Sequence, residues 1–245
     1  MKKITLLLTM VVFLISGMTT AMAEENLKTI VNNLQGKYDN IHDFSAKFNE
    51  VNEAKFLGAP ASRNGNVYYK KPGKFKFVYT GSINDDSFNH EIITNGVTMW
   101  YYKPNEKQVV IYESKEVLED EFFLPFLFGE EKITNKFEVA LKESTTKEAK
   151  DSYLVALRPK EPDTGVEWIL LVVDKETYLI KQINTYFVTK NVTRIAFEEI
   201  KTNQNLKDSF FNFQVPSGVE LIRKKSNYSG PPKTKVDIEI LEKED

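Results

Sequence analysis

Apolar and polar residues alternate in short runs along most of the chain, and turn sequences separate the runs. Within Asn64–Tyr102 the runs are rich in β-branched and aromatic residues, which is typical of strands. The tripeptide Lys71-Pro72-Gly73 is a turn sequence, and the dipeptide Asn95-Gly96 is a strong hairpin signal. The strands predicted here are Val67–Lys70, Phe75–Tyr79, Glu91–Thr94 and Val97–Tyr102.

The same pattern continues on both sides of this stretch. Short strands at regular spacing, joined by tight turns, predict an antiparallel meander and not βαβ units. Such a sheet protects its edges by curling toward a barrel or by covering one edge. We predict a loop at Asn52–Ser62. The further predicted strands are Phe44–Val51, Gln108–Tyr112, Lys136–Lys142, Tyr153–Arg158, Val166–Asp174, Tyr178–Val188, Val192–Ile200 and one within Phe210–Leu221.

Large aromatic side chains recur at alternate positions of the predicted strands. Period-two alternation places Phe75, Phe77 and Tyr79 on one face of their strand. It also places Trp100 and Tyr102 together on one face of a later strand. We expect one face of the sheet to collect these five side chains. The pattern alone leaves two interpretations open, an ordinary sheet core or the lining of a cavity for an apolar ligand.

Two segments depart from the strand pattern. Glu24–Asn40 carries apolar residues at helical spacing, which predicts an amphipathic helix that docks on a sheet edge or opening. The segment Phe122–Gly129 is an apolar run that Pro125 interrupts, which favours a short helix or a packed loop over a strand. This run either plugs one end of the core or forms a mobile apolar lid.

The first residues have the features of an export signal. Met1–Ala23 begins with Lys2 and Lys3, continues with an apolar run too short to span a membrane comfortably, and ends in Ala-Met-Ala. We expect the mature protein to begin at Glu24. The chain has no cysteine, so neither disulfides nor a lipid-bearing cysteine are expected. These features predict an exported, soluble protein.

No motif of the sequence brings together residues for catalysis or metal binding. His42 and His90 lie far apart with no matching ligands nearby, unlike a zinc site. Nucleotide-binding and serine-hydrolase motifs are absent from the sequence. A net charge of −2 lacks the basic excess of a nucleic-acid-binding surface. We predict a protein that is not an enzyme and binds no metal, cofactor or nucleic acid; a periplasmic hydrolase and a solid structural barrel are the alternatives.

A series of short motifs extends over Leu27–Leu221 in a fixed order. The motifs are Phe44-x-Ala46-x-Phe48, Gly65-x-x-Tyr68-x-Lys70-Lys71-Pro72-x-x-Phe75-x-Phe77, Asn95-Gly96-x-x-x-Trp100-x-Tyr102-x-Pro104, Pro125-Phe126-Leu127 and Phe211-x-Phe213-x-x-Pro216-x-Gly218-Val219. With the export signal, their order and spacing resemble those of the periplasmic outer-membrane lipoprotein carrier proteins, the LolA family.

This resemblance implies an unclosed antiparallel β-barrel of about eleven strands, covered by a helical lid. It implies a monomeric periplasmic carrier that takes lipoprotein acyl chains from an inner-membrane ABC transporter and delivers them to an outer-membrane acceptor. The alternative is another periplasmic half-barrel that binds lipid or a hydrophobic ligand, or senses envelope stress. In the family an arginine before the proline helps to hold the lid shut, and Lys71 occupies that position here.

We accordingly divide the chain into a signal peptide (1–23), a carrier domain (24–222) and a charged C-terminal extension (223–245), in which Val236–Leu241 could add an edge strand. Lys71 is the candidate lid latch. The residues expected to line the acyl-chain cavity are Phe48, Phe75, Phe77, Tyr79, Trp100, Tyr102, Phe126 and Leu127.

Overall fold

The computed structural model describes residues 26–54, 60–82, 88–113, 131–143, 150–161 and 164–223. Within these ranges the chain forms a helix α1 (26–39), a single-turn helix α2 (Ile133–Lys136), a short 3₁₀ helix (Asp208–Phe211) and twelve strands. The strands are β1 (Asp43–Glu53), β2 (Ala61–Lys70), β3 (Lys74–Ser82), β4 (Glu91–Asn95), β5 (Thr98–Lys103), β6 (Gln108–Glu113), β7 (Phe137–Lys142), β8 (Ser152–Pro159), β9 (Val166–Asp174), β10 (Ile180–Phe187), β11 (Val192–Thr202) and β12 (Glu220–Arg223).

All twelve strands belong to one sheet in the order β12-β6-β5-β4-β3-β2-β1-β11-β10-β9-β8-β7. Every neighbouring pair is antiparallel except β12 and β6, which are parallel. The sheet therefore consists of two meanders, β1–β6 and β7–β11, joined where β11 pairs with β1. The end strands β7 and β12 do not pair with each other, so the sheet is unclosed, which confirms the predicted mainly-β fold class.

Helix α1 covers one face of this sheet, which we call the inner face. The helical stripe predicted from the sequence is the side that docks, because Ile30, Val31, Leu34 and Tyr38 are all buried. Ile30, Leu34 and Tyr38 share a core cluster with side chains from both meanders. Burial of one such aliphatic side chain contributes about 1.5–3 kcal/mol. The helix thus bridges the two halves of the sheet and completes the core.

The opposite, outer face of the first meander is crossed by residues 203–219, which we call the strap. The strap leaves β11, packs Phe210 against Tyr68 of β2 with ring centroids 4.8 Å apart, and ends in β12 beside β6. Asp208 of the strap pairs with Lys70 at 2.6 Å and with Lys74 at 3.3 Å. The strap therefore ties β11 to the far edge of the sheet.

Two sequence predictions differ from the structure at strand ends. The two neighbouring strands extend into the loop expected at Asn52–Ser62, because β1 continues to Glu53 and β2 begins at Ala61. The polar run after Ala61 has no alternating pattern, and its pairing with β1 imposes the strand. The strand expected within Phe210–Leu221 is mostly strap, and only its last residues begin β12.

Several predictions concern segments outside the described residues. These are the export signal with the mature start at Glu24, the apolar run Phe122–Gly129 with Phe126 and Leu127, and the extension after Arg223 with Val236–Leu241. Among the residues that the structure describes, no helix combines the length and apolarity that a membrane span needs.

Candidate functional site

The inner face of the first meander carries rows of aromatic side chains. Phe75, Phe77 and Tyr79 alternate along β3 and point inward, as the sequence predicted, and Phe48 of β1 joins them. The ring centroid of Phe48 lies 5.6 Å from that of Phe77 and 5.1 Å from that of Tyr79, both in edge-to-face geometry. Phe75 is fully within the core at 4 % exposure. The four predicted residues therefore form one continuous apolar surface.

Gly65 of β2 makes room for this surface. A Cβ atom at this position would lie 2.0 Å from the backbone oxygen of Val78 and 3.0 Å from the ring of Phe48. The register places Gly65 opposite both Phe48 and Tyr79. A residue without a side chain is required here, because a Cβ atom would overlap the backbone of Val78 and press on the ring of Phe48.

Trp100 and Tyr102 do not share this face, and the prediction that grouped them with Phe75 was wrong. The β4–β5 register aligns Met99 with Thr94 and Tyr101 with Ile92, so Met99 and Tyr101 point inward. Trp100 and Tyr102 point outward, where Phe213 of the strap covers them at ring-centroid distances of 6.2 and 5.2 Å. Aromatic residues occupy both faces of β5, so side-chain size alone could not decide which face is inner.

Helix α1 is held on the inner face by side-chain hydrogen bonds from three of its residues. Asn33 Nδ2 donates to the hydroxyl of Tyr178 at 3.0 Å, and Gln35 Oε1 accepts from the backbone N–H of Ile133 at 2.9 Å. The hydroxyl of Tyr38 accepts from the backbone N–H of Ile180 at 3.0 Å. Burial raises the pKa of Tyr38 well above its ordinary value, so the phenol stays protonated at neutral pH.

Lys71 fastens the C-terminal end of the same helix. Its ammonium donates hydrogen bonds to the backbone carbonyls of Tyr38 and Asp39 at 3.0 and 2.9 Å. Carbonyl groups in the last turn lack partners within the helix, and the negative end of the helix dipole favours a cation there. The predicted latch residue therefore contacts α1, a helix that covers the inner face.

A small hollow lies beside the C-terminal end of α1. It is apolar and measures about 20 Å³, enough for one water molecule but not for an acyl chain. The residues that line it come from α1 and from β1, β10 and β11 with their adjoining segments: Tyr38, Ile41, Phe44, Ala46, Leu179, Ile180, Phe197, Ile200 and Thr202. A larger ligand in this hollow would need its lining residues to move, among them Tyr38 of α1.

At the far end of the inner face a group of polar side chains interrupts the apolar rows. Glu50 continues the inward alternation of Phe44, Ala46 and Phe48, yet it is a carboxylate with only 8 % exposure. The group consists of Glu50, Arg63, Tyr79, His90 and Tyr101, and we call it the inner polar cluster. Only Tyr79 of this group was a predicted site residue, although Glu50 in line with three apolar residues was a visible signal.

Hydrogen bonds and one ion pair join the members of this cluster. Arg63 Nη1 lies 3.6 Å from Glu50 Oε1, and the hydroxyl of Tyr79 donates to Glu50 Oε2 at 3.3 Å. The hydroxyl of Tyr101 lies 2.8 Å from His90 Nδ1. Burial raises the pKa of both tyrosines above the ordinary value, so both phenols remain neutral.

Groups for metal binding do not assemble in the described part of the chain. No three side chains of His, Asp or Glu come close enough there to hold an ion. His42 and His90 lie at opposite ends of the sheet, beside β1 and β4 respectively. The arrangement offers an apolar surface that lies under helix α1 and has a polar end.

Comparison with known proteins identifies the family. The profile described as "Outer membrane lipoprotein carrier protein LolA" matches residues 39–214, well over half of the chain. The chain belongs to the LolA family. The matched range includes the inner face from Phe44 onward, Lys71 and the strap up to residue 214, and it excludes most of helix α1.

Curated relatives of this LolA-family chain carry the same description. An outer-membrane lipoprotein carrier protein of Francisella tularensis is 28% identical over 191 residues, covering 76% of this chain and 84% of the relative. One from Nitrosomonas europaea is 25% identical over 223 residues, covering 91% of this chain and 100% of the relative. Family membership and these names support a lipoprotein carrier role.

A solved structure agrees with the fold. An uncharacterized conserved protein from Thermus thermophilus superposes with a TM-score of 0.53 at 11% identity, covering 80% of this chain and 98% of that protein. At this identity the likeness concerns the fold alone.

Proposed function

We propose that this protein is a periplasmic carrier that binds the acyl chains of lipoproteins released from the inner membrane and delivers them to the outer membrane. The observation that carries the proposal is the position of helix α1. An amphipathic helix held by a few polar contacts occupies an apolar surface that continues into a hollow beside it. Cargo reaches this surface by taking the place of the helix.

The energetics suit reversible binding. Transfer of an acyl chain from water into an apolar site gains about 0.8 kcal/mol per methylene. Displacing α1 exposes Ile30, Val31, Leu34 and Tyr38, and about 1.5–3 kcal/mol is lost for each aliphatic side chain. The two terms oppose each other, so displacement of the helix lowers the net affinity for cargo. A lowered affinity helps the carrier to release its cargo to an acceptor.

Lys71 sets the balance between the covered and open forms in this scheme. Its two hydrogen bonds exist only while the last turn of α1 lies against the turn between β2 and β3. Removing them favours the open form and retains cargo. Lysine thus performs here, with two separate donors, the latch role that the family resemblance assigns to an arginine at this position.

The proposed partners follow from the same role. Cargo comes from an inner-membrane ABC transporter that releases lipoproteins and passes to an outer-membrane lipoprotein acceptor. The carrier acts as a periplasmic monomer, and its task needs neither catalysis nor a cofactor. Phe48, Phe75, Phe77 and Tyr79 provide the surface for the acyl chains, and we retain Phe126 and Leu127 as proposed contacts.

Hydrogen–deuterium exchange tests displacement of the helix. A synthetic triacylated lipopeptide should bind, should remain intact by mass spectrometry, and should accelerate amide exchange in residues 30–38 while protecting β3 and β5. The same peptide without acyl chains is the control and should change nothing. Binding without faster exchange in the helix would contradict the displacement mechanism, and hydrolysis of the lipopeptide would favour an enzyme.

Release of lipoprotein from inner-membrane vesicles tests the delivery role. Phe75→Glu places a carboxylate at a position with 4 % exposure on the inner face, so we expect release to be lost. Val97→Glu introduces the same side chain at a site with 75% exposure and should release normally. Unchanged release by folded Phe75→Glu protein would argue against acyl-chain binding on this surface.

A further inference from the structure

The inner polar cluster lies far from the latch along the same face. Asp43, where β1 begins, pairs with Lys70 next to the latch, and Glu50 lies seven residues further along β1. At a rise of 3.3 Å per residue the separation is about 23 Å. The face between the two ends is apolar and includes Phe48 and Phe77. The polar cluster and the hollow therefore stand at opposite ends of one apolar surface.

An ion pair at this place needs an explanation other than stability. Glu50 and Arg63 face each other across β1 and β2, and their side chains are only 11% and 20% exposed. Replacing a buried ion pair with apolar residues is often neutral or stabilising, because desolvation opposes the electrostatic attraction. If this surface bound only hydrocarbon, apolar residues at these two positions would bind it equally well. The charges therefore indicate a polar ligand group.

Arg63 is the member of the cluster that can donate to such a group. Its Nη1 lies 3.6 Å from Glu50 Oε1, which is too long for a hydrogen bond. The guanidinium of Arg63 has five N–H groups. None of them donates a hydrogen bond to a residue that the structure describes. The guanidinium carbon, Cζ, lies 4.8 Å from the ring centroid of Phe88, and this contact orients the guanidinium. The guanidinium is thus positioned, partly exposed and available to an acceptor.

The cargo has acceptors that need such a donor. Acyl chains esterified to glycerol end in ester carbonyls, which accept hydrogen bonds and carry no donor of their own. When the chains enter an apolar site, these carbonyls leave water and need protein donors. We propose that Arg63, oriented by Phe88 and neutralised by Glu50, binds ester carbonyl oxygens at the glycerol end of the cargo. This inference rests on the proposed carrier function.

The assignment fixes the direction of the cargo on the inner face. The glycerol end lies at the inner polar cluster, and the chains run past Phe48 and Phe77 toward the hollow beside Tyr38. The peptide of the lipoprotein leaves the carrier at the end of the sheet remote from Lys71. The latch then acts near the tips of the chains and not on the head of the cargo.

Two probes of equal hydrocarbon content separate the head from the chains. The first is a synthetic lipopeptide whose two O-linked chains are esters, and the second is its dialkyl ether analogue, which lacks the ester carbonyls and whose alkyl chains carry the same number of methylene groups. We expect the unmodified protein to bind the ester about tenfold more tightly in calorimetry, as a hydrogen bond from a charged donor implies. The Arg63→Met variant should bind the ester about tenfold more weakly than the unmodified protein does, and its affinity for the ether should be unchanged.

Arg194→Met is the matched control. Arg194 of β11 pairs with Glu53 of β1, outside the inner polar cluster, so this variant should keep the preference for the ester. Arg63→Met leaves Glu50 buried without its cation, so the double variant Glu50→Gln/Arg63→Met serves if the single variant is unstable. Equal binding of both probes by the unmodified protein, or an equal loss for both in the variants, would overturn the assignment. Failure of both probes to bind the unmodified protein would instead overturn the carrier function.

Discussion

Substitution of Lys71 by methionine tests the latch quantitatively. Methionine keeps most of the length and apolar character of the side chain but removes the ammonium, and with it the hydrogen bonds to the carbonyls of Tyr38 and Asp39. A hydrogen bond from a charged donor contributes about 1.5–3 kcal/mol. Lys71 is only half-buried, so solvent screens these bonds and the two together are worth about 1–2 kcal/mol. The equilibrium between the covered and open forms should therefore shift about 5–30-fold toward the open form.

Two measurements follow this shift. Amide exchange in residues 30–38 should accelerate by the same factor without ligand, and the affinity for a triacylated lipopeptide should rise, because more of the protein is ready to bind. Transfer of the lipopeptide to acceptor vesicles should slow correspondingly. Lys71→Arg retains a cation with several donors and should behave like the unmodified protein.

The control removes a similar bond elsewhere. Lys175 donates to the backbone carbonyl of Lys150 in the loops beside β8 and β9, and Lys175→Met should leave both measurements unchanged. Unaltered exchange in α1 and unaltered lipopeptide affinity in folded Lys71→Met protein would refute the latch.

Three further predictions concern the sheet and its strap. Gly65→Ala should destabilise the protein by more than about 2 kcal/mol in chemical denaturation, because its Cβ would overlap the backbone of Val78, whereas Gly36→Ala in α1 has open space and should be neutral or stabilising. Phe213→Ala should shift the emission of Trp100 to longer wavelength in a Trp168→Phe background, since the strap covers Trp100; an unchanged spectrum would contradict the outward orientation. The side chain of Lys181 and the backbone N–H of Thr177 hold the pKa of Asp174 below its ordinary value, so Asp174 stabilises the fold above about pH 4 and loses this contribution as the pH falls further. Asp174→Asn should accordingly flatten the fall of stability below pH 4 in urea titrations.

Much of the fold could be predicted from local pattern. Alternation along β3 and the turn sequences around it determine strands whose inward residues, Phe75 and Phe77, are buried or half-buried as expected. The helical stripe of α1 was equally clear, because its spacing matches the period of a helix that docks one face. Both signals are local, and the local pattern and the tertiary packing agree.

The remaining features depend on pairing between distant segments. Met99 points inward and Trp100 points outward, the reverse of the prediction. The register of β5 with β4, and not side-chain size, decides which side chain points inward. The parallel pairing of β12 with β6 depends on the strap, whose Pro216 and Gly218 show only that a strand is interrupted. The inner polar cluster unites Glu50 with Arg63 across two strands, and only the register brings them together.

The strap also determines which part of the molecule can move. Asp43 at the start of β1 accepts hydrogen bonds from the backbone N–H groups of Gln204 and Leu206 at 2.7 and 3.2 Å, and Phe213 is anchored behind β5. The strap thus braces the sheet from its outer face. In the proposed mechanism α1 moves away while the strap holds the sheet in shape, so the cavity for the acyl chains exists before the cargo binds.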